Sequence, residues 1–427
     1  MVLFETLLAV ATEQVGAALL SGISAKLNPK DIELFLKQAI QTANDTHPEL
    51  FSAYEQDGLK GYGKFLNQFF KGRALAELQK PLEGSHGKPN VSFLAEAFWR
   101  EASEHSQLKT IEREKIEPWM QIFVETYFQA TNRSLQFQLI KDDYCEQIRR
   151  VFDDVRFAGI AVEGQDIDQS GRLVEIFVMP DVEEEDSRLQ ETSEEMPVEG
   201  FDNTQQRLLW EQRQQILQAK RRGIGRKFSA ADLLAKGKSK RVVLLGSPGS
   251  GKTTLLNYFA VVGTVPSGEV MQQELGKQCS YQTIAHSRAG ICLPVIIRIR
   301  DLALNPDLSI LDYIQQFTTK DLSVSGDLTG FFEYFLENGN ALILLDGLDE
   351  VADIAQRYKV VEKIEAFLSQ FEQCPTIITS RPAGYRRDFF RTDEYPHYEL
   401  QPFDDEKIDT FIDHWYDQGN RILIECS

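Results

Sequence analysis

The apolar run Val242-Val243-Leu244-Leu245 passes directly into Gly246-Ser247-Pro248-Gly249-Ser250-Gly251-Lys252-Thr253-Thr254, and this junction constrains the 427-residue chain more than any other feature. A buried strand that opens into a glycine-rich turn and then a helix is the local architecture of a phosphate-binding loop. Glycines let successive backbone N–H groups converge on an anion without an intervening Cβ. A helix beginning near Lys252 aims the positive end of its dipole at the same point. The spacing therefore assigns Gly246, Ser247, Pro248, Gly249, Ser250, Gly251, Lys252, Thr253 and Thr254 to nucleotide phosphates. Lys252 is expected to reach the β- and γ-phosphates and Thr253 to hold Mg²⁺.

Such a loop works with an acid at the end of another buried strand, and Ala341-Leu342-Ile343-Leu344-Leu345-Asp346 supplies one. Asp346 becomes the second candidate Mg²⁺ residue. The following Gly347-Leu348-Asp349-Glu350 sets two more carboxylates beyond the strand tip, where Asp349 or Glu350 would orient or deprotonate an attacking water. A third apolar run, Thr376-Ile377-Ile378-Thr379, ends in Ser380-Arg381-Pro382. In a parallel sheet its end emerges beside the first two, so Arg381 is a candidate γ-phosphate sensor; a solvated arginine in a proline-bounded turn is the competing reading. Leu293 to Arg300 reads as one more strand, with Arg298 and Arg300 structural. Strands alternating with helices, and ligand groups at strand C-termini, predict a doubly wound parallel α/β sheet preceded by a mainly helical N-terminal domain.

Together, the glycine loop, the Asp346-Gly347-Leu348-Asp349-Glu350 block and the Thr379-Ser380-Arg381-Pro382 turn resemble the NACHT family of signal-transduction ATPases, over roughly residues 238–417. The small Gly347 directly after Asp346 separates the chain from most AAA+ ATPases, which place a Glu there. There is no Leu-Ser-Gly-Gly-Gln run of the ABC transporter type and no Asn-Lys-x-Asp guanine-reading motif downstream. Leu400-Gln401-Pro402-Phe403-Asp404-Asp405 leads into a helix with Ile408, Phe411, Ile412 and Trp415 at helical spacing. It is similar to the first helix of the lid that follows the NACHT sheet, and by itself it reads as an amphipathic core helix. The resemblance implies ATP or ADP with Mg²⁺ as ligands and slow hydrolysis. It also implies a regulatory switch in signal transduction, with self-assembly or a protein partner engaged through the N-terminal helical domain. Among bacterial relatives that role includes defence against phage. In relatives the lid continues into a winged-helix domain whose histidine contacts ADP; the chain is expected to lack it, and His414 falls too early to replace it. A fast P-loop ATPase or kinase, and a truncated nucleotide-binding interaction module, remain as alternatives.

Composition narrows the partners. Asp and Glu total 65 against 46 Lys and Arg, and a net charge of −19 argues against bulk nucleic-acid affinity. Cys145, Cys279, Cys292, Cys374 and Cys426 show no C-x-x-C spacing, which predicts neither a disulfide framework nor a zinc site and suits a reducing cytoplasm. The six histidines form no ligand pairs. Phe4, Leu7, Leu8, Ala11, Val15, Ala18 and Leu19 share a helical face, but Glu5 and Glu13 break the run, so no membrane span is expected.

Five segments follow. Residues 1–155 form the helical N-terminal domain, with Pro29 at the first turn of one helix after Asn28, and others around Phe65 to Phe70, Phe93 to Trp99, Trp119 to Phe128 and Gln136 to Phe152. Residues 156–202 read as a hairpin, Phe157 to Val162 with Leu173 to Met179, and then an acidic linker from residue 181. Residues 203–237 are a helical linker, with a helix from about Thr204 to Arg222. Residues 238–402 are the nucleotide-binding domain, and 403–427 begin the lid. The acidic tract is further expected to fold back on the basic stretch between Lys220 and Arg241, restraining the N-terminal domain.

Overall fold

A computed structural model of the chain describes residues 19–20, 27, 29–50, 65, 68–72, 74–83, 87–104, 111–156, 170–185, 225–233, 239–264 and 293–425. By internal contacts the chain divides into two compact units, Met1–Ile140 and Lys141–Ser427.

The first unit is helical. Helix α1 (Pro29–Thr46) starts at its proline, whose missing N–H costs nothing where the first helical donors have no partner. It buries Ile32, Phe35, Leu36, Ala39, Ile40 and Ala43, three and four residues apart. The short α2 (Leu75–Gln79) and α3 (Val91–Glu104) follow, α3 burying Leu94, Ala97, Phe98 and Ala102. Helix α4 (Arg113–Phe152) adds Trp119, Phe123 and Tyr127 to the core. Phe98 meets Phe65 edge-on at 5.0 Å, and Trp119 stacks on Phe123 at 5.5 Å. The polar tips of this aromatic core are satisfied: Trp119 Nε1 donates to Asn44 Oδ1 at 2.7 Å, and Tyr127 Oη to the Leu78 carbonyl at 2.9 Å. The two helices expected around Trp119 to Phe128 and Gln136 to Phe152 are one. The polar run from Thr131 to Ser134 does not end α4: Thr131 and Ser134 are buried, and the Thr131 hydroxyl is satisfied within the helix by the Tyr127 carbonyl one turn back at 2.8 Å.

The second unit begins within α4, from Lys141. The hairpin expectation is corrected here. Strand β1 (Asp154–Arg156) pairs antiparallel with β2 (Ser170–Arg172), but Leu173 opens the short helix α5 (Leu173–Ile176) instead of a strand. Asp153 explains the switch: its carbonyl accepts from the Leu173 N–H at 2.6 Å and its carboxylate from the Val174 N–H at 3.0 Å, which starts a helical turn. Residues 157–162, the Thr204 to Arg222 helix and the N-terminal helix before Leu19 lie outside the described residues.

Next come β3 (Asp181–Glu184), β4 (Lys227–Ser229), β5 (Arg241–Leu245), helix α6 (Lys252–Gly263), β6 (Leu293–Arg298), α7 (Ile299–Leu304), α8 (Ile310–Lys320), α9 (Phe331–Glu337), β7 (Ala341–Asp346), α10 (Ile354–Gln370), β8 (Thr376–Ser380), β9 (His397–Leu400) and α11 (Asp405–Glu425). The sheet order is β4-β3-β9-β5-β8-β7-β6. The strands from β9 to β6 run parallel, and β3 and β4 join antiparallel. Val242 to Leu245, Ala341 to Leu345 and all of β8 are buried, as parallel strands covered on both faces must be. The Leu293 to Arg300 strand stops at Arg298. At this edge Pro294 has no N–H to offer, a residue type that sheets tolerate at edges, and its carbonyl accepts from the buried Tyr144 hydroxyl of α4 at 2.6 Å. A helical N-terminal region followed by a parallel-dominated sheet with helices is consistent with the α/β P-loop NTPase fold.

Two further expectations are corrected. The acidic tract is not a linker at its start, because Asp181 to Glu184 form β3, with Val182 fully buried between Phe228 and Leu400. Within the described residues one acid of the tract, Asp181, meets one lysine of the basic stretch, Lys227, across the β3–β4 pair. Lys227 Nζ lies 3.3 Å from Asp181 Oδ2, and Lys407 of α11 reaches the same oxygen at 2.7 Å. Helix α11 exists but is not a core helix. Ile408, Phe411 and Ile412 are 42, 36 and 43 % exposed, because the helix turns Lys407 toward β3 and lies against α5. Cys145 and Cys374 are buried and unpaired. Among the described residues no helix is long and apolar enough to cross a membrane, and no cluster of His, Cys, Asp and Glu could hold a metal ion by itself.

Candidate functional site

Strand β8 lies between β5 and β7, so the three strand tips noted in the sequence emerge side by side. They line one cavity of about 250 Å³. Pro248 to Thr254 form one wall, Asp346, Gly347, Asp349 and Glu350 another, and Thr379 with Arg381 stands between them. Of the sequence-predicted residues only Gly246 and Ser247 stay behind the cavity, where their carbonyls accept from Lys252 Nζ at 2.7 and 3.1 Å.

The loop has the shape that its glycines permit. Gly249 and Gly251 sit at φ of 74° and 89°, a region other residues rarely adopt, and a Cβ on either would meet no atom within 4 Å. The concave side of the loop is open, with the N-terminus of α6 facing it, as an oxyanion requires. Burial lowers the Lys252 pKa below the ordinary lysine value and Arg381 adds to that, while Asp349 and Asp346 pull it back up.

The carboxylates are held individually. Asp346 closes β7, and its Oδ2 accepts from Thr253 Oγ1 at 2.8 Å, which joins the two candidate Mg²⁺ residues. Its Oδ1 accepts from Thr379 Oγ1 at 2.6 Å, and Thr379 Oγ1 in turn accepts from the Gly347 N–H at 2.9 Å. Asp349 is engaged by Arg381 twice, through the backbone N–H at 3.0 Å and through Nε at 2.8 Å. Glu350 is more open, with Oε2 3.5 Å from a guanidinium nitrogen of Arg300. Arg298 lies over the Phe317 ring at 5.6 Å, in keeping with a structural role.

The sequence gives Thr379 a place in a motif but no role, and Arg357 neither. Thr379 was visible as a polar residue ending an apolar run beside the loop strand, the one signal that could have flagged it. Arg357 of α10 donates to the Asp349, Val351 and Gly384 carbonyls and carries no motif. A ring of N–H donors, two cations and three carboxylates around one cavity can hold a polyanion together with a divalent cation, and the open loop and oxygen donors fit Mg²⁺ and a nucleotide.

Comparison with known proteins bears on the other end of the chain. Residues 3–162 match the family model of the NACHT N-terminal helical domain 2. That match supports a NACHT-family protein. The NACHT helical region so defined contains α1 to α3 and all of α4, although by contacts the last residues of α4 belong to the second unit. It ends well before Gly246, so the NACHT match does not extend to the glycine loop. Among curated proteins, none matches the chain.

Proposed function

We propose that the chain is a NACHT-type regulatory switch in signal transduction that binds ATP or ADP with Mg²⁺ and hydrolyses ATP slowly. The observation that carries this reading is the junction of Thr253 with Asp346 at 2.8 Å inside the cavity that Lys252 and Arg381 also line. Lys252 would bind the β- and γ-phosphates, and the loop N–H groups would cradle them. Thr253 and Asp346 would hold Mg²⁺, with Thr379 keeping the Asp346 carboxylate in place. Bound Mg²⁺ supplies positive charge against the phosphate oxygens. Glu350 is the freer carboxylate for orienting water, because Asp349 is occupied by Arg381. Slow turnover, as opposed to a fast ATPase or kinase, is what the resemblance implies, and the Arg381–Asp349 pair is in keeping with a site that senses the nucleotide. The N-terminal helical domain would pass the signal to a protein partner or to further copies of the chain, with bacterial antiviral defence as the setting that the resemblance implies.

The test is to denature the purified protein and identify the nucleotide released, beside Lys252→Ala. ADP or ATP from the parent and none from the variant is the expected result. Equal amounts from both place the nucleotide elsewhere, and nucleotide held tightly with no turnover and no change of assembly state favours a plain interaction module.

A further inference from the structure

We propose that Arg357 is a positioning residue that locks the Asp349-bearing turn to the Arg381-bearing loop, and so sets how strongly the site prefers a nucleoside triphosphate to a diphosphate. The proposal rests on the nucleotide reading above. Arg357 is the fourth residue of α10 and is half-buried. Its Nε donates to the Val351 carbonyl at 2.5 Å and its Nη2 to the Asp349 carbonyl at 3.1 Å, both in the turn that follows β7. Its Nη1 donates to the Gly384 carbonyl at 2.6 Å, in the loop that follows β8. A planar guanidinium can serve three carbonyls on two segments at once, whereas a lysine ammonium on a flexible stem cannot reproduce that fork.

Gly384 is shaped for this contact. Its φ of 84° is left-handed, and a Cβ there would stand 3.1 Å from Arg357 Nη1. Burial lowers the Arg357 pKa, and the Asp349 charge works against that drop. Among the described residues the guanidinium is therefore held by carbonyl dipoles and by the field of the very acid whose turn it fixes.

The two segments it joins are already linked at the cavity, where Arg381 holds Asp349. The side-chain half of that link is given up if Arg381 turns its guanidinium to a γ-phosphate, which leaves the Arg381 backbone N–H as its remaining bond to Asp349. Arg357 lies in a different set of contacts and keeps the segments in register through the exchange. A diphosphate, which offers no γ-phosphate to Arg381, does not draw on the brace. Triphosphate affinity and hydrolysis therefore depend on Arg357, and diphosphate affinity does not.

The experiment measures Mg·ATP and Mg·ADP affinity and ATP hydrolysis for the full chain and for Arg357→Lys, Arg357→Met and Gly384→Ala, with thermal unfolding as the check on folding. Expected are ADP affinity within about twofold of the parent, ATP affinity lower by about tenfold and kcat lower by tenfold or more, with no rescue by lysine. Gly384→Ala should reproduce the effect from the opposite side of the contact, and the double variant should be no worse than either single one. A folded variant with the parent's ATP-to-ADP ratio overturns the proposal, as do equal losses for both nucleotides or effects that add. Should Arg357→Met fail to fold, the lysine and alanine variants read the same ratio. A parent chain that binds neither nucleotide removes the nucleotide reading itself, an outcome distinct from folded variants that keep the ratio.

Discussion

At the scale of single residues, the site depends on hydroxyls as much as on charges. Thr379 spends its proton on Asp346 and a lone pair on the Gly347 N–H, so it orients the candidate Mg²⁺ carboxylate and closes the turn after it. Thr379→Val keeps the shape and deletes both bonds. It should cost about 1–3 kcal/mol of stability and weaken the Mg²⁺-dependent part of nucleotide binding by about tenfold, while leaving Mg²⁺-free binding near the parent's. Titrating nucleotide with and without Mg²⁺ reads this directly; unchanged Mg²⁺ dependence would show that the hydroxyl is only structural. His397 predicts a pH effect. It is buried in β9 with Nε2 2.8 Å from the Tyr385 hydroxyl, and burial, then the Arg387 charge, lowers its pKa to about 3. An unfolded histidine titrates near 6.5, so between that value and 3 the unfolded chain binds the extra proton and the folded one does not. This contribution is intact above about pH 6.5 and lost as pH falls toward 3, with about 2 kcal/mol gone by pH 5. Urea unfolding at pH 7 and 5 should show that loss in the parent and a smaller one in His397→Gln; equal slopes would contradict it.

At the scale of elements, what can be read from the sequence depends on where each strand finds its partners. Strands β5, β7 and β8 are legible because parallel strands buried on both faces read as unbroken apolar runs ending at the ligand residues. Strand β3 is not: Asp181-Val182-Glu183-Glu184 holds one apolar residue among acids and looks like a solvated tract. It becomes a strand because β9 and β4 offer hydrogen-bonding edges on either side, a fact of tertiary pairing that local composition does not carry. Helix α4 is one helix where periodicity suggests two for a related reason, since Thr131 and Ser134 in its polar middle are buried, a fact of packing that periodicity does not carry. If β3 is an integral strand, Val182→Asp should destabilise the second unit by about 3 kcal/mol or more, through an unpaired carboxylate placed between Phe228 and Leu400. A lowered urea midpoint is the readout, and a parent-like midpoint would mean that β3 contributes little.

At the scale of the whole molecule, a helical region matching the NACHT N-terminal helical domain 2 is joined in one chain to a parallel-dominated sheet whose strand tips gather Lys252 of the glycine loop, the Mg²⁺ candidates and an arginine-bound acid. The motifs named the strands that meet at the cavity. They included Thr379 without giving it a role and did not name Arg357, although both hold those strands' loops together, because such contacts belong to the folded arrangement and leave no fixed spacing in the chain. The central claim is that Lys252 and Asp346 serve one Mg²⁺-nucleotide site. Equilibrium titration of ATP into the parent chain, Lys252→Ala and Asp346→Asn, each with and without Mg²⁺, tests it most directly. The account predicts that Mg²⁺ tightens binding to the parent, that Asp346→Asn abolishes this gain, and that Lys252→Ala loses affinity by a hundredfold or so under both conditions. Binding to Asp346→Asn that still tightens with Mg²⁺ as the parent's does, or Lys252→Ala that binds like the parent, would contradict it.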